Sequence, residues 1–313
     1  MNPRKGITLK ICAALCTVIM GACVSGLKGE IPIGEVVFFR SAAAFLPLFI
    51  WLIVQGRLRQ EIATKHIGGH IVRSVSGTGG MFFNYLALIY LPLVDATALS
   101  YAAPLFTVVL AAILLKEIVR VYRWTAVGVG LIGVLVMLSP HASWGAPVAT
   151  ATNTALIGGI LGLTAAFFSA FSIIQIRHLA KTENPGAIVL YFSLVTTVIG
   201  LSTIGFGWKM PDAWQLLLLV GAGLAGGMAQ LLVTLSLRHA QASLLAPFEY
   251  TTMIWALLVG YFFMGQLPAL TTITGAVLVI LAGLFTIWRE RQIKLQARRD
   301  DLLIVATEDA RAA

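Results

Sequence analysis

Apolar stretches of about 18 residues or more recur from the N-terminus of this 313-residue chain almost to its C-terminus. A helix needs about 20 predominantly apolar residues to cross a hydrocarbon core of roughly 30 Å. Ten such spans can be drawn, at 7–27, 33–54, 67–89, 94–115, 122–139, 154–176, 187–207, 213–236, 242–264 and 269–288. Inside a bilayer every backbone N–H and C=O must be satisfied within the protein, so spans of this length fold as helices. Charged residues make up 11% and hydrophobic residues 58% of the chain, and the mean hydropathy is +0.90. Soluble domains carry roughly 25% charged residues, so a water-soluble fold is excluded. The expected class is an all-α membrane protein of ten transmembrane helices, with the lipid bilayer as its solvent.

A net charge of +9 and a pI near 9.7 invite a nucleic-acid reading. The basic residues are scattered singly and in pairs, with no basic face interleaved with stacking aromatics, so no nucleic-acid partner is expected. Sidedness explains the charge better. Of the 22 Lys and Arg, Lys28 and Lys209 fall in odd-numbered connections and Arg40 and Arg73 within spans. All the others lie in the N-terminal segment, the even-numbered connections or the C-terminal tail, apart from Lys10 and Arg123 in the cytoplasmic end turns of spans one and five. Cytoplasmic loops collect Lys and Arg, which puts both termini in the cytoplasm. The tail 289–313, with Arg289, Arg291, Lys294, Arg298 and Arg299, then reads as a basic cytoplasmic extension. It is expected as an interfacial helix, with a partner or anionic lipid as a further role.

Arg4, Lys5 and Lys10 ahead of an apolar stretch imitate a signal peptide, and Met20-Gly21-Ala22-Cys23 imitates a lipoprotein box. Cleavage would leave nine spans and break the symmetry described next, so the first span is expected to stay. Cys12, Cys16 and Cys23 all lie in that span and offer no extracellular disulfide framework. His66, His70, His141, His178 and His239 show no paired metal-ligand spacing, so no metal is expected.

Laid on itself with a shift of 146 residues, the chain pairs Gly77 with Gly223, Gly80 with Gly226, Asn84 with Gln230, Thr97 with Ser243 and Leu99 with Leu245. Asp95-Ala96 falls on Gln241-Ala242, and a shift of 147 brings Gly128 onto Gly275. A constant shift across small, amide and hydroxyl positions points to a repeat: residues 1–140 and 154–288, joined by a linker at 141–153 rich in Pro, Gly and small polar residues. Each half holds five spans, an odd number, so the two must be inverted. Inverted repeats place a binding site near the midplane between the halves and allow alternating access.

These residues carry a resemblance. Asp95-Ala96-Thr97-Ala98-Leu99 to Pro104 lead into span four, Leu114-Leu115-Lys116-Glu117 end it, and Gly128 to Gly133 follow. Over residues 7–288 this resembles the EamA-type repeat of the drug/metabolite transporter (DMT) superfamily, and within it bacterial permeases that include the YddG-type aromatic amino-acid exporters. The second half departs from the usual closing Gly-Glu, having Gly265-Gln266. The resemblance implies a multi-pass inner-membrane secondary carrier. It implies a cavity lined mainly by spans three, four, eight and nine, with spans five and ten peripheral and involved in packing or in a homodimer.

Arg73, Gly77, Gly80 and Asn84 form one stripe of span three, and Gly223, Gly226 and Gln230 its counterpart in span eight. The glycines suit close helix packing. Asn84 and Gln230 carry amides that hydrocarbon cannot satisfy, which marks them as substrate contacts. Glu249, in Ala246-Pro247-Phe248-Glu249-Tyr250, is the least expected residue, since a carboxylate at membrane depth costs roughly 2.5–3.5 kcal/mol on insertion scales. It could bind an ammonium group or accept a coupling proton. The alternative is a structural ion pair, with Arg73 as one partner, or a side chain reaching toward the cytoplasmic face.

Arg40 is a candidate for attracting a carboxylate, with Glu35 or helix-end carbonyls as structural alternatives. Asp95 is a candidate for charge coupling, or simply a helix cap. Tyr85, Tyr101, Phe248, Tyr250 and Trp255, together with Phe82, favour an aromatic-tolerant cavity for an amphipathic small-molecule substrate. The chain lacks a Gly-Lys-Ser/Thr triplet for direct ATP drive and a convincing catalytic constellation. Neither an enzymatic activity nor a cofactor is expected. The expected function is export of small metabolites, amino acids foremost, with import or multidrug transport as alternatives.

Overall fold

The computed structural model describes residues 3–54, 56, 64, 66–114, 121–138, 152–179, 182–240, 245–266 and 268–312. Among these, every regular element is a helix. In chain order they are α1 (Pro3–Gly26), α2 (Ile33–Val54), α3 (Ile67–Tyr90), α4 (Leu93–Ser100), α5 (Ala103–Leu114), α6 (Val121–Leu138), α7 (Thr152–Leu179) and α8 (Pro185–Ser202), then α9 (Ala213–His239), α10 (Thr251–Met264) and α11 (Leu270–Ala312). Short 3₁₀ turns, Thr203–Phe206 and Ala246–Tyr250, follow α8 and precede α10. Most of the linker expected at 141–153, together with Leu115-Lys116-Glu117 and Gln241 to Ser243, lies outside the described residues.

Among the described residues, seven helical stretches are long and apolar enough to cross a membrane: Pro3–Gly26, Ile33–Val54, Leu93–Leu114, Leu156–Ile176, Gly186–Phe206, Ala213–Ser236 and Leu270–Arg289. Trp124–Met137 and Phe248–Met264 are apolar but shorter. The 24 residues of α3 are long enough, at about 36 Å, yet they are not among the seven. The reason is local, because α3 buries His70, Arg73, Ser74, Ser76 and Thr78 against its neighbours. Its polarity faces protein, not lipid, as membrane interiors require. Thr78 and Thr196 meet there hydroxyl to hydroxyl at 2.8 Å, joining α3 to α8.

The main packings are α1 on α9, α3 on α7, α6 on α11, α2 on α9 and on α8, and α5 on α7. Further contacts join α3 to α8, α1 to α10, α4 to α7 and α4 to α10. The largest apolar cluster runs from Val18 and Val37 through Tyr85, Leu99 and Tyr101 to Met253, Ala256 and Val279. It ties the first half of the chain to the second.

Two proline-associated breaks interrupt what would be continuous spans. Pro104 has no N–H to give the carbonyl of Ser100, and the chain turns at Tyr101–Ala102 between α4 and α5. The segment that contains Pro247 is a 3₁₀ turn, so the expected kink takes the form of a change of helix type before α10. Gly265 ends α10 at φ 63°, the left-handed conformation a C-terminal glycine supplies without a Cβ penalty. The basic tail is not a separate interfacial element. It continues α11 without interruption to Ala312, because no Gly or Pro occurs after Gly283 to stop the helix.

Candidate functional site

Where the two halves meet, α2, α3, α8 and α9 enclose a cluster of buried polar groups. Arg40 lies seven residues into α2 and Arg73 six residues into α3, and both are buried, at 7% and 4% exposure. The Arg73 guanidinium stacks over the Phe192 ring, 3.8 Å from its centroid. Arg40 lies within electrostatic reach of Arg73 and of the buried Tyr85 hydroxyl. That hydroxyl also lies 3.8 Å from the sulfur of Met20.

The glycine stripes make this arrangement sterically feasible. A Cβ on Gly226 would lie 3.0 Å from Nε and Nη2 of Arg40, and one on Gly77 would lie 2.9 Å from Nη1 of Arg73. Both positions therefore accommodate a guanidinium as well as a helix contact. Gly80 and Gly223 act in packing: Gly80 faces Ser169 and the carbonyl of Ala165, and Gly223 faces the carbonyls of Phe39 and Arg40. A narrow pocket with room for about one water molecule lies between α2, α8 and α9. Arg40, Phe192, Ser193, Gly226 and Gln230 line it, with aliphatic side chains filling the remaining wall.

Of the expected site residues, Arg40, Gln230 and Gly226 thus share one cavity, with Arg73 behind Phe192. Asn84 is half-buried on α3 and is not on that wall. Tyr101 and Tyr250 form a second group at the two helix breaks. Their rings meet edge to face at 5.3 Å, and the Tyr101 hydroxyl donates to the Tyr250 carbonyl at 3.5 Å. The Tyr250 hydroxyl packs against Gly283 of α11. Phe248 and Trp255 are half-buried nearby, and the indole N–H of Trp255 is buried without a partner among the described residues.

Three expectations about charge change. Glu249 forms its ion pair with Lys10 of α1, not with Arg73. Lys10 sits as deep along α1 as Arg40 does along α2, which was the signal available in the sequence. Glu35 does not form a salt bridge with Arg40; it accepts a hydrogen bond from the backbone N–H of Lys209 at 3.1 Å. Asp95 is not the N-cap of α4, a place taken by Pro92. It lies buried in the first turn, where a carboxylate complements the helix N-terminus. The neighbouring N–H of Leu93 is satisfied by Oε1 of Gln266 at 3.1 Å, so the amide that replaces the usual glutamate holds α4 from the other half.

Phe192 and Ser193 were missed altogether, since neither is unusual in an apolar span. A further buried pair, His70 Nε2 and Glu183 Oε2 at 3.5 Å, links α3 to the turn before α8, with the His70 ring 4.8 Å from Tyr191.

Residues 4–139 and again 156–288 match the EamA-like transporter family. The chain is 29% identical to the S-adenosylmethionine uptake transporter of Rickettsia prowazekii, over 82% of this chain and 84% of that protein. It is 26% identical to the pseudopaline exporter CntI of Pseudomonas aeruginosa, over 89% and 94%. It is also 26% identical to the riboflavin transporter of Vibrio cholerae, over 93% and 96%. One solved crystal structure superposes with a TM-score of 0.65 over 92% of this chain and 98% of its own, at 16% identity, which shows a shared fold.

Proposed function

The chain belongs to the EamA-like transporter family, and we propose that it is a secondary carrier moving small organic metabolites across the inner membrane by alternating access. Amino acids, aromatic ones included, are the proposed cargo and export the proposed direction, in line with the likeness to YddG-type exporters. In this reading α3 is a span despite its polarity, the shorter apolar helices complete ten spans, and both termini are cytoplasmic. The carrier has no catalytic activity of its own.

One observation carries the proposal. Exchanging the two five-span halves turns α1 on α9 into α7 on α3, α2 on α9 into α8 on α3, and α10 on α1 into α4–α5 on α7. The same exchange leaves α2 on α8, α4 on α10 and α6 on α11 as they are. A packing pattern that survives exchange supports inverted halves able to trade conformations, the basis of alternating access. The double match to one family supports the same reading.

The uptake activity named for the rickettsial relative favours a second reading, import or broader metabolite transport by the same fold. Purified protein in liposomes, given a panel of amino acids, aromatic drugs and other metabolites with and without a proton gradient, separates the two. Accumulation of a solute on one side supports the carrier and gives its direction. No transport of any solute, together with turnover of a lipid or peptide, would sink it.

A further inference from the structure

Among the described residues, the cationic side chains Lys10, Arg40 and Arg73 are buried in the helical body, and they are treated differently. Lys10 is paired with the carboxylate of Glu249, and His70 with that of Glu183. Among the described residues no carboxylate reaches Arg40 or Arg73. Nε of Arg40 and both Nε and Nη1 of Arg73 are buried with no hydrogen-bond acceptor. Two like charges held near each other in low dielectric repel, and each buried donor left unpaired forfeits the hydrogen bond it would make in water. Lys10 has its counter-charge within the fold, whereas Arg40 and Arg73 have none among the described residues.

Arg40 borders the pocket, and Arg73 lies behind the Phe192 ring that forms part of its wall. Gly77 and Gly226 pack directly against the guanidiniums, where any Cβ would collide with them. Phe192 stacks on the Arg73 guanidinium and also forms part of the pocket wall. Ser193 and Gln230 add neutral hydrogen-bonding groups to the same wall. A guanidinium keeps its proton and presents a planar fork that matches a carboxylate, so the pair reads charge and does not relay protons.

We propose that the space between α2, α3, α8 and α9 is the subsite for the anionic end of the transported metabolite, an organic carboxylate held by Arg40 and Arg73 with Gln230 and Ser193 beside it. The assignment rests on the carrier reading above and specifies its substrate class. Lining residues from both halves give the carboxylate contacts to each, so binding couples to their relative movement.

The test uses full-length protein in liposomes and two matched probe pairs, phenylalanine with phenylalaninamide and phenylacetate with phenylacetamide. Each probe competes against whichever solute the transport panel has shown to be carried, at constant ionic strength. The expected result is that the acids compete at least about tenfold better than their amides, the discrimination one charge-assisted hydrogen bond provides. Arg40→Gln and Arg73→Gln should each erase that preference, and Arg73→Lys should retain only part of it because the fork is lost. Thermal stabilisation of the unmodified protein by the same four probes gives an independent reading should a variant fail to fold, with the acids again expected to act at lower concentration.

Chloride and inorganic phosphate form a separate arm. If they protect the protein as well as the carboxylates do, the pair serves an inorganic anion and the assignment is overturned. Amides that compete as well as acids, or a carried solute that no carboxylate displaces, also overturn it and leave the carrier reading standing. Transport of no solute at all overturns the carrier reading itself.

Discussion

Lys10 and Glu249 show how a buried charge is kept within an apolar helix: the Lys10 side chain is almost enclosed, while that of Glu249 is 59% exposed, and each holds the other. Glu249→Gln leaves Lys10 without its counter-charge. The expected loss of stability is about 1–2 kcal/mol, between the values for exposed and fully buried pairs. It should be largely recovered when Lys10→Met is added. Thermal unfolding of the purified variants measures both, and a Glu249→Gln variant as stable as the parent would show the pair idle. If Glu249 also couples protons, the same substitution flattens the pH dependence of transport, whereas an unchanged profile confines it to structure. Asn84→Leu and Gln230→Leu address the matched amides. Each should weaken substrate competition by about tenfold, the effect of one lost hydrogen bond. Unaltered affinity in both would move the site away from them.

Helix contacts here depend on positions where a side chain is missing or where one reaches across. α6 and α11 approach closely enough that a Cβ on Gly133 would lie 2.8 Å from the Gly275 carbonyl. Gly275→Leu should therefore force the two helices apart and cost about 1–3 kcal/mol, the usual penalty for overpacking. Gly128→Leu, at a position with no atom within 4 Å of the added Cβ, should be close to neutral. Unfolding midpoints in detergent compare them, and equal losses would count against the α6–α11 contact. The amide of Gln266 caps α4 from across the molecule. Gln266→Glu keeps an acceptor oxygen and should be tolerated. Gln266→Leu leaves the Leu93 N–H unpaired and should cost about 1 kcal/mol.

For the whole molecule, the proposed inverted architecture makes a topological prediction. In a variant with Cys12, Cys16 and Cys23 replaced by Ala, Lys28→Cys and Lys209→Cys should react with a membrane-impermeant thiol reagent applied from outside. Arg59→Cys should react only after permeabilisation. The opposite labelling would invert the orientation derived from the Lys and Arg distribution. Equal labelling of all three sites would argue against the ten-span arrangement. In the proposed carrier, the pairwise exchange of helix packings between halves would supply the two conformations that alternating access requires.

Hydropathy and charge sidedness are sums over neighbouring residues, so the sequence by itself determined that the chain is helical and membrane-embedded. A repeated spacing of residues is also visible in one dimension, which made the two stretches later matched to one family legible. The polarity of α3 was legible as a stripe of Arg73, Gly77, Gly80 and Asn84, though not its reason, the burial of His70, Ser74 and Thr78 against neighbouring helices. Only the tertiary structure decided that Glu249 pairs with Lys10, that Tyr101 meets Tyr250, and that Arg40 and Arg73, packed on Gly226 and Gly77, lie within electrostatic reach of each other. In a bilayer the lipid is as apolar as the helix faces, so no contrast in hydrophobicity tells which face meets which neighbour. Helix rotation and crossing settle those meetings, and they follow from the shapes of all the faces at once.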